Sequence, residues 1–191
     1  YWPFDMTFFS DGRVIFLDWN NHIVREVTGD TVTTIMGTDF VGDGPPDLSD
    51  LTVAGADPLT VDMNHPTDIV ELPDGDILIV AWHNHKLRVI DSVDGQVRVD
   101  FGSGAGFAGD DGIAKDAKAN QPRSAVLAPN GDLFLLDQRS QRIRVLYNYA
   151  TDRQNAIVKT IVGTGEKGFN GDGLAGLATQ VSFQAGGNPE P

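Results

Sequence analysis

A repeat marked by a proline and a glycine limits what this chain can fold into. In each copy, the glycine stands nine positions after the proline. The copies are Pro3 with Gly12, Pro66 with Gly75, and Pro122 with Gly131. An arginine stands thirteen residues past each glycine, at Arg25, Arg88 and Arg144. Because agreement at several offsets is not expected by chance, the chain is predicted to consist of copies of one structural unit.

Each unit contains four short apolar or β-branched runs separated by turn residues. In the second unit the runs are Asp68 to Leu72, Ile77 to Trp82, Lys86 to Ile90 and Gln96 to Phe101. The first two runs are separated by Pro73-Asp-Gly75, where proline presets φ for a turn and glycine accepts positive φ. Four antiparallel strands per repeat, at a period above forty residues, are typical of a β-propeller blade.

The predicted fold is therefore all-β, a β-propeller of four-stranded antiparallel blades with about three blades present. Residues 1–44 form blade one, 65–112 form blade two, and 113–173 form blade three with its leading connection. Residues 45–64 are an insertion between the first two blades, and 174–191 begin a further blade or form a tail. Three blades are too few to close a ring, so the chain is expected to be part of a longer protein.

The link between the second and third strands resembles that of the NHL-repeat β-propellers. Their pattern is a second strand ending in aspartate, a polar link such as Asn-His, and a third strand carrying arginine. The matching segments are Asp18-Trp-Asn-Asn-His-Ile-Val-Arg25, Ala81-Trp-His-Asn-His-Lys-Leu-Arg88 and Asp137-Gln-Arg-Ser-Gln-Arg-Ile-Arg144. The sequence departs from the pattern at Ala81, which replaces the aspartate, and at Phe183, which stands where the next proline is expected.

The loops after the fourth strands extend this resemblance to the secreted bacterial branch of the family. They contain Gly-Asp-Gly or Gly-Asp-Asp-Gly, and two of them are followed by A-x-x-A, at Ala114 with Ala117 and at Ala175 with Ala178. The resemblance covers nearly the whole chain. It implies a propeller that is exported to the periplasm, the cell surface or the medium.

Composition excludes several functions. The chain has 14 Lys+Arg against 27 Asp+Glu, a net charge of −13, so the basic patch that nucleic-acid binding needs is not expected. With 0 cysteines there are no disulfides, no thiol catalysis and no cysteine-ligated metals. Since no run of about eighteen apolar residues exists, no membrane span is predicted.

His83 and His85 are the candidate metal ligands, because they lie two residues apart in a polar link. The resemblance includes lyases that place zinc on histidines gathered from several blades around the central axis. Blade three has Arg139 and Gln141 at the corresponding positions, so a ring of ligands is not visible. The interpretation we favour is structural, with the Asn-His link forming hydrogen bonds within the turn between the second and third strands.

Asp110 and Asp111 are candidate calcium ligands in the loop after blade two. Calcium takes six to eight oxygen ligands, whereas each loop of this kind offers one or two carboxylates. A turn in which glycine takes positive φ and aspartate accepts backbone N–H bonds explains the same residues. We favour that interpretation, with a structural calcium ion as the alternative, and no other cofactor is predicted.

The insertion is the best candidate for contact with a partner, because binding residues are often on loops. Its apolar residues Leu48, Leu51 and Val53 are the predicted contacts, although a simple spacer between blades is the favoured alternative. Arg25 and Arg144 are expected to pair with Asp18 and Asp137. Arg88 faces Ala81 instead, so it is expected to lack a partner and becomes a further candidate for binding.

Two functional hypotheses follow. The leading one is a non-catalytic binding or scaffold module that holds another protein or joins a larger complex, because no catalytic group can be picked out among the acidic residues. The alternative is a metal-dependent lyase or hydrolase with its site in the central channel. Stoichiometric zinc or iron that is lost when His83 and His85 are replaced would favour the enzyme.

Overall fold

The computed structural model describes residues 3–45 and 47–183 as three four-stranded antiparallel sheets. The strands are β1 (Pro3–Phe8), β2 (Val14–Asp18), β3 (Ile23–Thr28) and β4 (Thr31–Met36) in the first sheet; β5 (Pro66–Glu71), β6 (Ile77–Ala81), β7 (Lys86–Ile90) and β8 (Val97–Phe101) in the second; and β9 (Pro122–Leu127), β10 (Leu133–Asp137), β11 (Arg142–Tyr147) and β12 (Ile157–Val162) in the third. Within each sheet the strands follow chain order. The prediction of four-stranded blades is confirmed, and the three sheets do not close a ring.

The predicted strand bounds differ from the observed ones by one or two residues. β5 begins at Pro66, two residues before the predicted start at Asp68, and β6 ends at Ala81 instead of Trp82. The turn between them is as predicted, with the Gly75 N–H donating to the Leu72 carbonyl at 2.9 Å and Gly75 at φ +86°. Pro46 and residues 184–191, the end of the last predicted segment, lie outside the described residues.

The central sheet is covered on both faces, and its second strand is accordingly buried throughout. All five residues of β6, Ile77 to Ala81, are buried, whereas β2 alternates between buried and half-buried residues. Continuous burial is expected for a strand with two covered faces, and alternating burial for a strand with one. One hydrophobic core therefore lies at the first junction, between sheets one and two, and another at the second junction, between sheets two and three.

The first strands of the three sheets lie side by side, since β1 contacts β5 and β5 contacts β9. A side-chain bond joins the last two of them, with the Thr67 hydroxyl donating to the Arg123 carbonyl at 2.8 Å. This row of first strands forms the inner edge of the arc of sheets.

The 45–64 insertion is packed between the outer strands of sheets one and two. It contains two single-turn 3₁₀ helices, Ser49–Leu51 and Pro58–Thr60. Ala56 exchanges both backbone hydrogen bonds with Val97 on β8, at 3.0 and 2.8 Å, while the Gly37 N–H donates to the Pro58 carbonyl. Val61 and Met63 are fully buried in the first core. The insertion is thus part of the junction.

Candidate functional site

The repeated arginine of blade three is a buried connector between sheets. Arg144 has no exposed side-chain surface, and its Nη2 and Nε donate to Asp110 Oδ1 at 2.7 and 3.0 Å. Its Nη1 also lies 3.4 Å from Asp137 Oδ2, which is the pair that the repeat predicts. Because Asp110 belongs to the loop after β8, the arginine joins the loop of one unit to the third strand of the next.

The two candidate calcium ligands therefore have protein partners. Besides Arg144, Asp110 accepts a hydrogen bond from the Thr160 N–H at 3.1 Å, and Asp111 forms an ion pair with Lys159 at 3.1 Å. Asp111 also has φ +64°, consistent with the predicted turn. These contacts support the structural interpretation of the loop aspartates.

The expectation that Arg88 lacks a partner is wrong. Its Nε donates to Asp50 Oδ2 at 2.8 Å, and both side chains are fully buried. Arg88 also donates to the Asp62 carbonyl at 3.1 Å and to Asp43 Oδ1 at 3.3 Å. The insertion supplies the buried carboxylate that Ala81 does not. Since Arg88 has no exposed side-chain surface, it is not available for contact with a partner as predicted.

The insertion holds exposed apolar side chains on an anchored backbone. Val53 is 85% exposed and Leu48 is 48% exposed, whereas Leu51 is half-buried. Arg98 fixes the segment next to Val53, because its Nε donates to the Val53 carbonyl at 2.7 Å and its Nη2 to the Ala54 carbonyl at 3.1 Å. Two of the three predicted contact residues are thus accessible.

His83 and His85 do not converge on one point. His85 Nδ1 accepts a hydrogen bond from the Gln121 N–H at 3.0 Å, just before β9. His22 Nδ1 accepts in the same way from the His65 N–H at 3.3 Å, and Gln141 Oε1 from the Phe183 N–H at 2.9 Å. This bond joins each link to the start of the next unit, a contact that the predicted role did not include; in blade three Gln141 Nε2 also donates to the Gln138 carbonyl of its own turn at 3.0 Å.

His83 lies instead in a group of rings from two sheets, which we call the Trp–His cluster; its members are Trp19, His22, His65, Trp82 and His83. Trp82 stacks on His83 with ring centroids 3.8 Å apart, and Trp19 lies 4.3 Å from His65. His22 and His65 meet edge to face at 4.5 Å. The repeat gives no signal for His65, because Gln121 occupies its position in blade three.

The histidines of this cluster are neutral at pH 7. Partial burial lowers the pKa of His65 to about 4, and the neighbouring His22 and His83 add to the effect. Burial also lowers the pKa of His83, with further contributions from His85, Arg139 and His22. The cluster therefore offers aromatic faces and uncharged nitrogen atoms, a surface suited to neutral or electron-accepting groups.

Two carboxylates meet at the inner edge of the arc, where no signal in the sequence marked them. Asp68 Oδ2 accepts hydrogen bonds from the Ser124 hydroxyl at 2.8 Å and the Ala125 N–H at 2.7 Å. The pKa of Asp68 is raised to about 6, mainly by burial; contact with Asp5 acts in the same direction, and the two donors act against it. A carboxyl group that titrates near neutral pH can act as a general acid.

The described part of the chain contains no group of three or more His, Asp or Glu side chains arranged to hold a metal ion. Over residues 3–45 and 47–183, no helix is long and apolar enough to cross a membrane.

Comparisons with known proteins define the class of fold. No protein-family model matches the chain. Over 85 residues the chain is 33% identical to Protein SUPPRESSOR OF QUENCHING 1, chloroplastic, from Arabidopsis thaliana. The matched segment makes up 44% of this chain and 8% of that protein. The match thus concerns a small part of the relative.

Several solved structures share the arrangement of sheets. A protein of unknown function from Bacteroides thetaiotaomicron VPI-5482 matches with a TM-score of 0.54 and 21% identity over 80% of this chain and 33% of its own. An auxiliary nutrient binding protein from Bacteroides ovatus ATCC 8483 matches with a TM-score of 0.54 and 16% identity, over 84% of this chain and 36% of its own. Virginiamycin B lyase from Staphylococcus aureus matches with a TM-score of 0.50 and 16% identity, over 82% of this chain and 39% of its own. The chain is a propeller-like all-β protein that spans less than two fifths of these structures.

Proposed function

We propose that this chain is a non-catalytic binding module of the NHL-repeat type, which holds another protein through its 45–64 insertion. The observation that carries the proposal is the contrast within that segment. Asp50 is fully buried against Arg88, while Leu48 and Val53 on either side of it are exposed. A loop whose backbone is already fixed loses little conformational entropy when it binds, so its apolar side chains contribute more of their burial to affinity.

The comparisons are compatible with this proposal at a coarser level. One similar fold belongs to an auxiliary nutrient binding protein, and we extend a binding function to this chain as part of the proposal. Export to the periplasm, the cell surface or the medium is part of the proposal, supported by the resemblance of the Gly-Asp-Gly loops to the secreted branch of the NHL family. Fractionation of the source cells tests the location.

A capture experiment with matched variants tests the binding surface. Val53→Asp and Leu48→Asp place a charge on the insertion, and Val93→Asp places the same charge on the β7–β8 turn, where Val93 is 94% exposed. Exposed substitutions of this kind change the free energy of unfolding by about 0.5 kcal/mol or less. We expect a crosslinked partner to be recovered with the wild type and Val93→Asp and to be lost with the two insertion variants. Equal recovery with all four proteins contradicts the proposal.

The alternative function, a metal-dependent lyase or hydrolase, is favoured by a different observation. Asp5 and Asp68 form a carboxylate pair at the inner edge, and the pKa of Asp68 near 6 suits proton transfer. If the chain is an enzyme that uses Asp68 as its acid, Asp68→Asn abolishes turnover while leaving partner capture intact. Turnover that survives this substitution excludes Asp68 as the acid.

A further inference from the structure

Three polar atoms beside β5 are in mutual contact. His65 Nδ1 lies 3.0 Å from His83 Nδ1 and 2.6 Å from Asn64 Oδ1, and His83 Nδ1 lies 3.3 Å from the same Asn64 oxygen. Asn64 and His65 precede β5, and His83 belongs to the link between β6 and β7. The fold of the second sheet brings these residues together, although His83 lies 18 residues after His65 in the chain.

Hydrogen bonds alone do not satisfy this triangle. Each of the three atoms is either a donor or an acceptor, since an imidazole nitrogen carries a proton or a lone pair and an amide presents its oxygen or its NH₂ group. Among three mutually contacting atoms at least two must have the same role, whichever tautomers are present and whichever way the amide is turned. One side of the triangle therefore joins two donors or two acceptors and is not itself a hydrogen bond.

We propose that His65 Nδ1, His83 Nδ1 and Asn64 Oδ1 bind a divalent transition-metal ion. A cation accepts lone pairs from all three atoms at once, so it accounts for all three short distances together. Ligands on one face of an octahedron are about 3.0 Å apart when metal–ligand bonds are about 2.1 Å, and the observed sides surround this value. Two imidazoles select an ion of the zinc, cobalt, nickel or copper class, and water occupies the outer positions.

The surrounding residues hold the ligands in place, as an outer shell does in metal sites. Trp82 stacks on the His83 ring at 3.8 Å, and the His65 N–H donates to His22 Nδ1 at 3.3 Å. The Asn64 N–H donates to Asn84 Oδ1 at 2.8 Å. The site uses His83 but replaces the predicted second ligand His85 with His65, and it does not depend on the proposed partner contact of the insertion.

Metal titration of the full chain tests the site. After treatment with a chelator, the wild type is titrated with Co²⁺ and with Zn²⁺, followed by calorimetry and by the visible absorption of bound Co²⁺. We expect one ion per chain, with affinity lowered by about a hundredfold or more in His65→Ala and His83→Ala. His85→Gln is the matched control and binds as the wild type does, because Gln141 makes the equivalent hydrogen bond in blade three.

Asn64→Ala is a second test of the site that leaves both histidines in place. It lowers affinity by about tenfold or more, and it changes the Co²⁺ absorption spectrum because one oxygen ligand is lost. Far-UV circular dichroism identifies any variant that fails to fold, and His65→Gln then replaces His65→Ala. The proposal is overturned if the wild type binds neither ion, or if the folded variants at residues 64, 65 and 83 bind as tightly as His85→Gln.

Discussion

The two junctions between sheets have the same repeated arginine but neutralise it from different parts of the chain. At the second junction, Arg144 lies between Asp137 of its own sheet and Asp110 of the preceding loop. At the first junction, Ala81 stands in the position of Asp137, and Arg88 pairs with Asp50 of the insertion. The repeat thus requires a carboxylate beside a buried guanidinium, and it does not require that this carboxylate come from the second strand.

The cost of an unpaired buried charge explains why one junction compensates for its missing aspartate. Removing a guanidinium from water is repaid only when a carboxylate and further hydrogen bonds satisfy it. Arg88 has Asp50 and the Asp62 carbonyl, and Arg144 has Asp137, Asp110 and the Lys118 carbonyl. Substitution of one aspartate was therefore compatible with the fold once a longer connection supplied another.

The inner edge shows the same asymmetry in a different form. At the first junction Asp68 meets another carboxylate, Asp5, whereas at the second junction it accepts hydrogen bonds from Ser124 and the Ala125 N–H. Asp5 disfavours the negative charge of Asp68, whereas the hydrogen bonds from Ser124 and the Ala125 N–H favour it.

Removal of the arginines is expected to have the largest effect. Arg88→Ala and Arg144→Ala each leave buried carboxylates without their cation, so each lowers the free energy of unfolding by about 3–5 kcal/mol. Chemical denaturation measures the loss. Arg25→Ala is the control, because Arg25 is one third exposed and 3.5 Å from Asp18, and it costs about 1 kcal/mol or less. A loss at Arg25 equal to that at Arg88 contradicts the role of burial.

Two substitutions together move the carboxylate at the first junction from the insertion to the second strand of the sheet. Asp50→Ala leaves Arg88 with the half-exposed Asp43 as its remaining anionic partner, and it lowers the free energy of unfolding by about 2–4 kcal/mol. Adding Ala81→Asp recreates the arrangement of the second junction and restores at least half of the loss. Double-mutant analysis of the two positions measures this coupling. If the two effects simply add, the insertion does not substitute for the strand aspartate.

The inner-edge carboxylates predict a smaller effect that depends on pH. The pKa of Asp68 is about 6 in the folded chain, whereas the ordinary value for an aspartate in an unfolded chain is 3.8. The folded state therefore binds more protons than the unfolded state between these two pH values. The contribution of Asp68 is fully present below pH 4 and is lost as the pH rises through 6. Because Asp68→Asn cannot ionise, the wild type loses about 2 kcal/mol relative to this variant between pH 4 and 7. Denaturant unfolding at several pH values measures the difference, and a constant difference contradicts the prediction.

The smallest expected effect concerns the bond between each link and the next unit. His85→Ala removes the acceptor for the Gln121 N–H and lowers the free energy of unfolding by about 1 kcal/mol. His85→Gln retains an acceptor, as Gln141 does in blade three, and changes it by less than about half that amount. Thermal unfolding of the two variants measures this comparison. Equal losses would show that the ring, not its lone pair, matters at this position.

The repeat made the sheets predictable, whereas the sites depend on contacts between distant segments. Strand, turn and blade order follow from local apolar patterning and from the Pro73-Asp-Gly75 type of turn, both of which act over a few residues. Asp50 lies 38 residues before Arg88, inside a segment with no counterpart in the other units. Only the fold places them together, although Ala81 and the added length were signals that a substitute was needed.

The histidines show a second limit of sequence reasoning. His83 and His85 are neighbours in the link, but this link is a turn in which His85 has φ +59°, and their side chains contact different partners. His65 has φ +55° just before β5, and its N–H donates to His22 Nδ1 of the preceding sheet. Its proximity to His83 therefore could not be read from spacing.

The packing of the insertion indicates where this protein tolerates foreign sequence. Surface connections are usually the segments into which a tag or a second domain can be spliced. Here the β4–β5 connection carries Asp50, Ala56 and Met63 into the interior, so interrupting or shortening it would open the first core. The tip of the β7–β8 hairpin, around Val93, is the better place for an engineered fusion.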